Sequence, residues 1–204
     1  MNSDIALKKL VDGNKRYVEA IAGNAELSTP TNRQDVAAGQ KPFAIIVGCS
    51  DSRVPAELVF HQGLGDLFVI RVAGNIVAPS QIGSVEFACQ NFGTQLVVVL
   101  GHSHCGAVKA TVEALTSGKN DFSPNVASIV DRVTPAVRPV VEGQQFSDQD
   151  DLVHQAMRAN VEQSVNELQT RSSILQQMAE RGDIKIIGAE YSIETGLVDF
   201  HLGD

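Results

Sequence analysis

The sequence predicts an α/β fold: a mainly parallel four-stranded sheet, an antiparallel fifth strand, and helices on both faces. Three observations predict it. Short apolar runs alternate with helical patterns along the chain. One run, Leu96-Val97-Val98-Val99-Leu100, carries no polar residue on either face and reads as a strand buried on both sides. The last two runs are joined only by Glu194-Thr195-Gly196, a link that suggests antiparallel pairing.

The chain has 204 residues, 43% of them hydrophobic and 20% charged, which suits one domain spanning 1–204 with a sizeable core. A formal net charge of −8 and the absence of any basic block argue against a nucleic-acid partner. No apolar run approaches the length needed to span a bilayer, so no membrane partner is expected. Residues 1–25 show no secretory pattern, and three cysteines make a disulfide framework improbable. A reducing, cytoplasmic setting is the default expectation.

The elements follow in order. Leu7, Leu10, Val11, Tyr17, Val18 and Ile21 recur at helical spacing, with Asn14 interrupting the stripe. This N-terminal helix and the polar, proline-containing stretch after it form an arm over 1–40. Such a helix must bury its stripe somewhere, and a second subunit is one choice. Phe43–Gly48 and Leu67–Val72 are short strands, the second preceded by the turn Gly63-Leu64-Gly65-Asp66. Ser84 is read as the N-cap of a helix running to Phe92 and closed by Gly93. A strand over 95–101 and a helix from Ala107 to Leu115 come next. Residues 116–150 are rich in Gly, Ser, Pro, Asp and Gln, with one helical piece around Val126–Val133. A long amphipathic helix spans Leu152–Leu168, and Ser172 or Ser173 caps another that ends at Gly182. Ile184–Ala189 and Leu197–Leu202 are the final strands.

Two segments carry the chemistry: Cys49-Ser50-Asp51-Ser52-Arg53 and His102-Ser103-His104-Cys105. Each begins where a predicted strand ends. In an open parallel sheet, sites form at the strands' C-terminal ends. Two thiolates and an imidazole are a natural Zn2+ set, and a catalytic zinc keeps a fourth position for water or substrate. Cys49, His102 and Cys105 are therefore the candidate metal ligands. Cys105 directly precedes a predicted helix, whose exposed N–H groups favour a thiolate. Asp51 allows two arrangements: it occupies the fourth metal position and closes the site, or it pairs with Arg53 and stays off the metal. In the second, its free oxygen orients the nucleophile.

Cys-x-Asp-x-Arg followed roughly fifty residues later by His-x-x-Cys resembles the β-class carbonic anhydrases. The resemblance extends through Val47–Glu57, Phe68–Asn75 and Gly101–Gly106, with further segments at Gly13–Tyr17, Gly188–Tyr191 and Thr195-Gly196. It implies reversible CO2 hydration by a zinc hydroxide, with Cys49, His102 and Cys105 as ligands and Asp51–Arg53 as a catalytic dyad. It also implies an obligate homodimer, or a dimer of dimers, in which the N-terminal helix embraces the partner. Substrate-pocket positions of the family map to Gln40, Phe68 and Phe87, with Gln40 reaching the partner's site. An apolar pocket suits uncharged CO2, and a Gln donor suits bicarbonate. Some members are inactivated by bicarbonate at a site containing Trp, Arg and Tyr. Arg71 and Tyr191 match two of these, but Ile46 stands where the Trp would be, and the chain has no Trp. The resemblance therefore implies the permanently accessible subtype.

Plainer readings stand beside these. Cys89 shares a helical face with Val85 and Phe92 and reads as core. His104 lies between two ligands but points elsewhere if they share a side, which leaves it as a surface proton carrier. His61 and His154 read as solvated or packed, and Arg71 as a structural ion-pair partner as readily as an anion ligand. Two rival functions use the same site: hydrolysis of carbonyl sulfide or carbon disulfide, and a non-catalytic zinc module that binds bicarbonate.

Overall fold

The computed structural model describes residues 1–23, 36–118, 121–143 and 146–201. Most of the polar stretch within the arm, and Leu202 of the last strand, lie outside the described residues. The strands are β1 (Ala44–Gly48), β2 (Leu67–Arg71), β3 (Leu96–His102), β4 (Lys185–Tyr191) and β5 (Val198–His201). They form one sheet in the order β2-β1-β3-β4-β5. The first four are parallel, and β5 pairs antiparallel with β4. The predicted architecture is thus the one observed.

Strand residues alternate between two faces, and the core divides accordingly. Ile45, Val47, Val97 and Val99 face one apolar cluster. Ala44, Ile46, Leu96, Val98 and Leu100 face the other. Helices α3 (Pro79–Phe92), α4 (Gly106–Ser117), α5 (Pro124–Gly143), α6 (Gln149–Thr170) and α7 (Ser173–Glu180) supply the first. Helix α1 (Ser3–Ile21) and the short α2 (Ala56–Val59) cover the second. No helix among the described residues is long and apolar enough to cross a membrane.

Several expectations about local structure need correction. Asn14 is no defect in the α1 stripe. It is buried, donates from Nδ2 to the carbonyls of Val59 (3.0 Å) and Gly196 (2.8 Å), and accepts from the Val198 N–H at Oδ1 (2.9 Å). Ala6 and Leu10 of the same helix are buried on this chain's own sheet, while Ile5 and Ile21 stay exposed. Helix α3 begins at Pro79 rather than after Ser84, because proline suits a helix's first turn, where its missing N–H costs nothing. Ser84 sits inside that helix and donates to the Ser80 carbonyl. The helical piece expected around Val126–Val133 is a 20-residue helix that runs through Pro135 and Pro139. Its buried Val130, Val133 and Val137 supply the tertiary packing that outweighs two interior prolines. Ser172 caps α7 as expected, accepting from the Leu175 N–H.

Candidate metal centre

The parallel register brings the two chemical segments together. Gly48 and Leu100 are paired neighbours, so the residues that leave β1 and end β3 emerge side by side. Cys49 follows β1 directly, His102 is the last residue of β3, and Cys105 is the residue before α4. All three are buried, with His102 fully inaccessible. One donor atom from each lies within 4.8 Å of the other two. A tetrahedral zinc with bonds of about 2.0–2.3 Å would hold such atoms roughly 3.3–3.8 Å apart.

The imidazole is prepared for a cation. His102 Nδ1 lies 2.8 Å from the Ser103 carbonyl, which can only accept, so Nδ1 carries the proton. Nε2 is then the bare nitrogen, and it is a buried atom without a hydrogen-bond partner. A buried acceptor left alone costs roughly 1–3 kcal/mol, and coordination would remove that penalty. The two sulfurs share one proton. Cys49 is drawn down to about 4, first by the hydrogen bond from Cys105, against its burial. Cys105 is pushed up by the same bond and by burial. The Gly74 N–H also reaches Cys49 Sγ, at 3.4 Å. Donor type, spacing and the solitary Nε2 all fit a zinc-like ion.

Asp51 stands apart from that donor group. Arg53 grips its carboxylate at both ends, Nε to Oδ1 at 2.9 Å and Nη2 to Oδ2 at 2.7 Å, and the Arg53 N–H adds a third bond to Oδ1. These bonds, the Arg53 side chain first, hold the Asp51 carboxyl far below the usual range. The loop that carries it is pinned from the neighbouring strand. Arg71 donates from Nε to the Cys49 carbonyl (2.9 Å) and from Nη2 to the Asp51 carbonyl (2.5 Å). Arg71 makes no ion pair among the described residues; its fork holds backbone. It stands in register with Gly48, the residue before Cys49, a placement that only the sheet pairing reveals.

The remaining candidates are distributed elsewhere. Gln40 is exposed and precedes β1, so the whole strand separates it from Cys49, roughly 16 Å along the sheet. Phe68 pairs with Ile45, three positions back along β2 from Arg71, or about 10 Å. It stacks with Phe87 and Phe92, and Phe87 is 50% exposed. Gln40 shares a cleft with Phe92. The three pocket candidates therefore gather at the opposite end of the sheet from this chain's own thiols. His104 turns away from the ligands, in a left-handed conformation (φ 55°), and hydrogen-bonds Glu194. Glu194 falls to about 2, through its own backbone N–H first and Ser103 next. Cys89 is core, and burial raises its thiol to about 11. His154 contacts Glu190, and His61 accepts from Arg16. Tyr191 is buried with its hydroxyl on Tyr17, and Ile46 is wholly enclosed.

Comparison with known proteins agrees with this geometry. The family model described as carbonic anhydrase matches residues 44–198. Carbonic anhydrase 2 of Mycobacterium tuberculosis is 37% identical over 207 residues, covering all of this chain and 96% of the relative. A carbonic anhydrase of Mycolicibacterium smegmatis is 39% identical over the same span and coverage. Among solved structures, the β-carbonic anhydrase CcaA superimposes with a TM-score of 0.74 at 28% identity, covering 95% of this chain and 98% of that one.

Proposed function

This chain belongs to the β-class carbonic anhydrases, and from that premise we propose that it catalyses the zinc-dependent, reversible hydration of carbon dioxide to bicarbonate and a proton. The observation that carries the zinc assignment is the buried, partnerless Nε2 of His102 beside two thiols. Cys49, His102 and Cys105 would hold the ion. Bound there, zinc supplies a water acidic enough to be a nucleophile near neutral pH.

The residues of the chain do the rest. Asp51, fixed by Arg53, keeps a carboxylate lone pair with which to accept a hydrogen bond from the attacking water, and so aligns it. Because Arg53 satisfies both carboxylate oxygens, Asp51 stays off the metal and the site is open by default. Ile46, in place of a Trp, supports the same reading. The Phe68–Phe87–Phe92 cluster, half exposed at Phe87, offers an apolar surface suited to CO2, and Gln40 beside it offers a donor for bicarbonate. Their distance from this chain's own thiols supports their serving a partner's site. That arrangement calls for a homodimer or dimer of dimers, with residues 1–40 as the arm of a single domain spanning 1–204. Three free cysteines support a reducing, cytoplasmic location.

The test is stopped-flow CO2 hydration between pH 6 and 9, with zinc measured on the same sample. We expect about one zinc per chain and a rate that rises with pH, since the nucleophile is deprotonated water. Full zinc with negligible hydration would instead indicate a bicarbonate-binding module. Faster turnover of carbonyl sulfide or carbon disulfide would reassign the substrate.

A further inference from the structure

Three carbonyls in the loop after β2 are held from one helix. Asn160 Nδ2 donates to the Gly74 carbonyl at 2.8 Å, Ser164 Oγ to the Asn75 carbonyl at 3.2 Å, and Arg171 Nη1 to the Val77 carbonyl at 3.5 Å. These side chains are spaced four and seven residues apart along α6 and its C-cap, so they line one side of it. Asn160 and Ser164 are both buried. Buried polar side chains on a helix face that packs against a valine-rich sheet are costly unless each has a partner. Here each partner is a backbone atom of the same short turn.

That turn is itself unusual. Gly74 and Asn75 are consecutive left-handed residues, with φ of 70° and 44°. For Asn75 this conformation costs on the order of 1–3 kcal/mol and persists only where surroundings impose it. The Asn75 side chain does not impose it: its amide is fully buried and makes no hydrogen bond among the described residues. Gly74 leaves no room for adjustment either, since an added Cβ would come within 3.1 Å of the Ala107 methyl and 3.4 Å of Val133. The result of holding this turn is that the Gly74 N–H points at Cys49 Sγ, 3.4 Å away.

We infer that Asn160 and Ser164 are positioning residues for the metal site: from α6 they hold the left-handed Gly74–Asn75 turn that donates a hydrogen bond to the Cys49 sulfur. The inference rests on the reading of Cys49 as a metal ligand. Its chemical consequence is specific. A thiolate that accepts an N–H bond donates less electron density to its metal, and two thiolates otherwise make this centre a weak Lewis acid. The α6 contacts thus offset part of the sulfur donation.

The test uses the Co2+-substituted protein, whose thiolate-to-cobalt charge-transfer band reports sulfur donation directly. We compare wild type with Asn160→Asp, Asn160→Ala and Ser164→Ala, and with Gln163→Ala as the control. Gln163 lies on the same helix and donates to the Arg132 carbonyl of α5 instead of to a carbonyl of the turn. Weakening the clamp should move the band to longer wavelength. It should also speed metal loss to a chelator on the order of tenfold, the effect typical of groups that support a ligand. The order should be Asn160 variants above Ser164→Ala, with Gln163→Ala unchanged. If Asn160→Ala does not fold, Ser164→Ala and the isosteric Asn160→Asp carry the test. Variants with an unmoved band and wild-type metal retention overturn the inference, as does an equal shift in Gln163→Ala. A wild-type protein that takes up cobalt without any thiolate band would instead overturn the metal-ligand reading itself.

Discussion

Replacing Asn14 with alanine removes two buried hydrogen bonds and a part-buried one at once. The Val59 and Gly196 carbonyls lose their donor, and the Val198 N–H loses its acceptor. Each backbone group left unsatisfied in a buried site costs about 1–3 kcal/mol, and some water entry into the vacated space favours the low end, about 3 kcal/mol for three groups. Alanine is the better helix former by up to about 0.7 kcal/mol, which leaves a net loss of about 2–3 kcal/mol. For a chain of this size each kcal/mol moves the melting temperature by roughly 2–4 °C, so Asn14→Ala should melt roughly 5–10 °C lower. Calorimetry at matched protein concentration reads this directly, since association makes Tm concentration-dependent. Hydrogen exchange adds a local readout, because the Val198 amide should lose protection. Lys8→Ala, which breaks only the exposed pair with Asp12, should leave the melting temperature where it is. A shift below 2 °C with the Val198 amide still protected would show that the three bonds are not what holds α1 to the sheet.

Other outcomes follow from the same geometry. Asp51→Asn cannot accept the Arg53 fork and should cut CO2 hydration on the order of a hundredfold while the zinc content stays at wild type; full activity would remove Asp51 from the mechanism. Cys49→Ser should lose zinc on dialysis yet keep the helical circular dichroism of the parent, because Arg71 still holds the loop carbonyls. Cys89 is raised from 9.0 to about 11 in the folded chain, so its contribution to stability is complete below pH 9 and is lost as pH rises toward 11. The melting curves of wild type and Cys89→Ala should therefore converge over that interval, and a constant gap would contradict the assignment. Gly101→Ala would place a methyl 2.5 Å from Val161 and 2.6 Å from Met157, forcing α6 away from β3 next to His102; a loss of about 1–3 kcal/mol with weaker zinc retention is expected.

The strands and the candidate Cys-His-Cys cluster were legible because their signals are local: an apolar run, then a Cys or His where it ends. Helix α5 was legible only in part. Pro135 and Pro139 argue for a break on local grounds, and the buried valines that override them act through tertiary contact. Asn14, Asn160 and Ser164 were hidden for another reason. A polar residue in an amphipathic pattern reads as a solvent position, and its true partner is a backbone atom as much as 184 residues away. The Gly74 N–H belongs to a residue without a side chain, so residue type could not advertise it. Phe68 and Phe87 entered as substrate-pocket positions through the resemblance; their contact with each other, and the end of the sheet they occupy, could not be read from residue type alone.

The Asn14 bonds also bear on the order in which the chain can mature. Helix α1 precedes every other described element, yet two of its Asn14 contacts, Gly196 and Val198, are synthesised more than 180 residues later. At 5–20 residues per second the ribosome needs roughly ten to forty seconds to supply them. During that interval α1 has the sheet's inner strands to rest on but not the hairpin that fastens it. The last hairpin thus acts as a latch on the first helix, and a nascent chain stalled before residue 196 would carry a complete Cys-His-Cys set beneath a loosely seated α1.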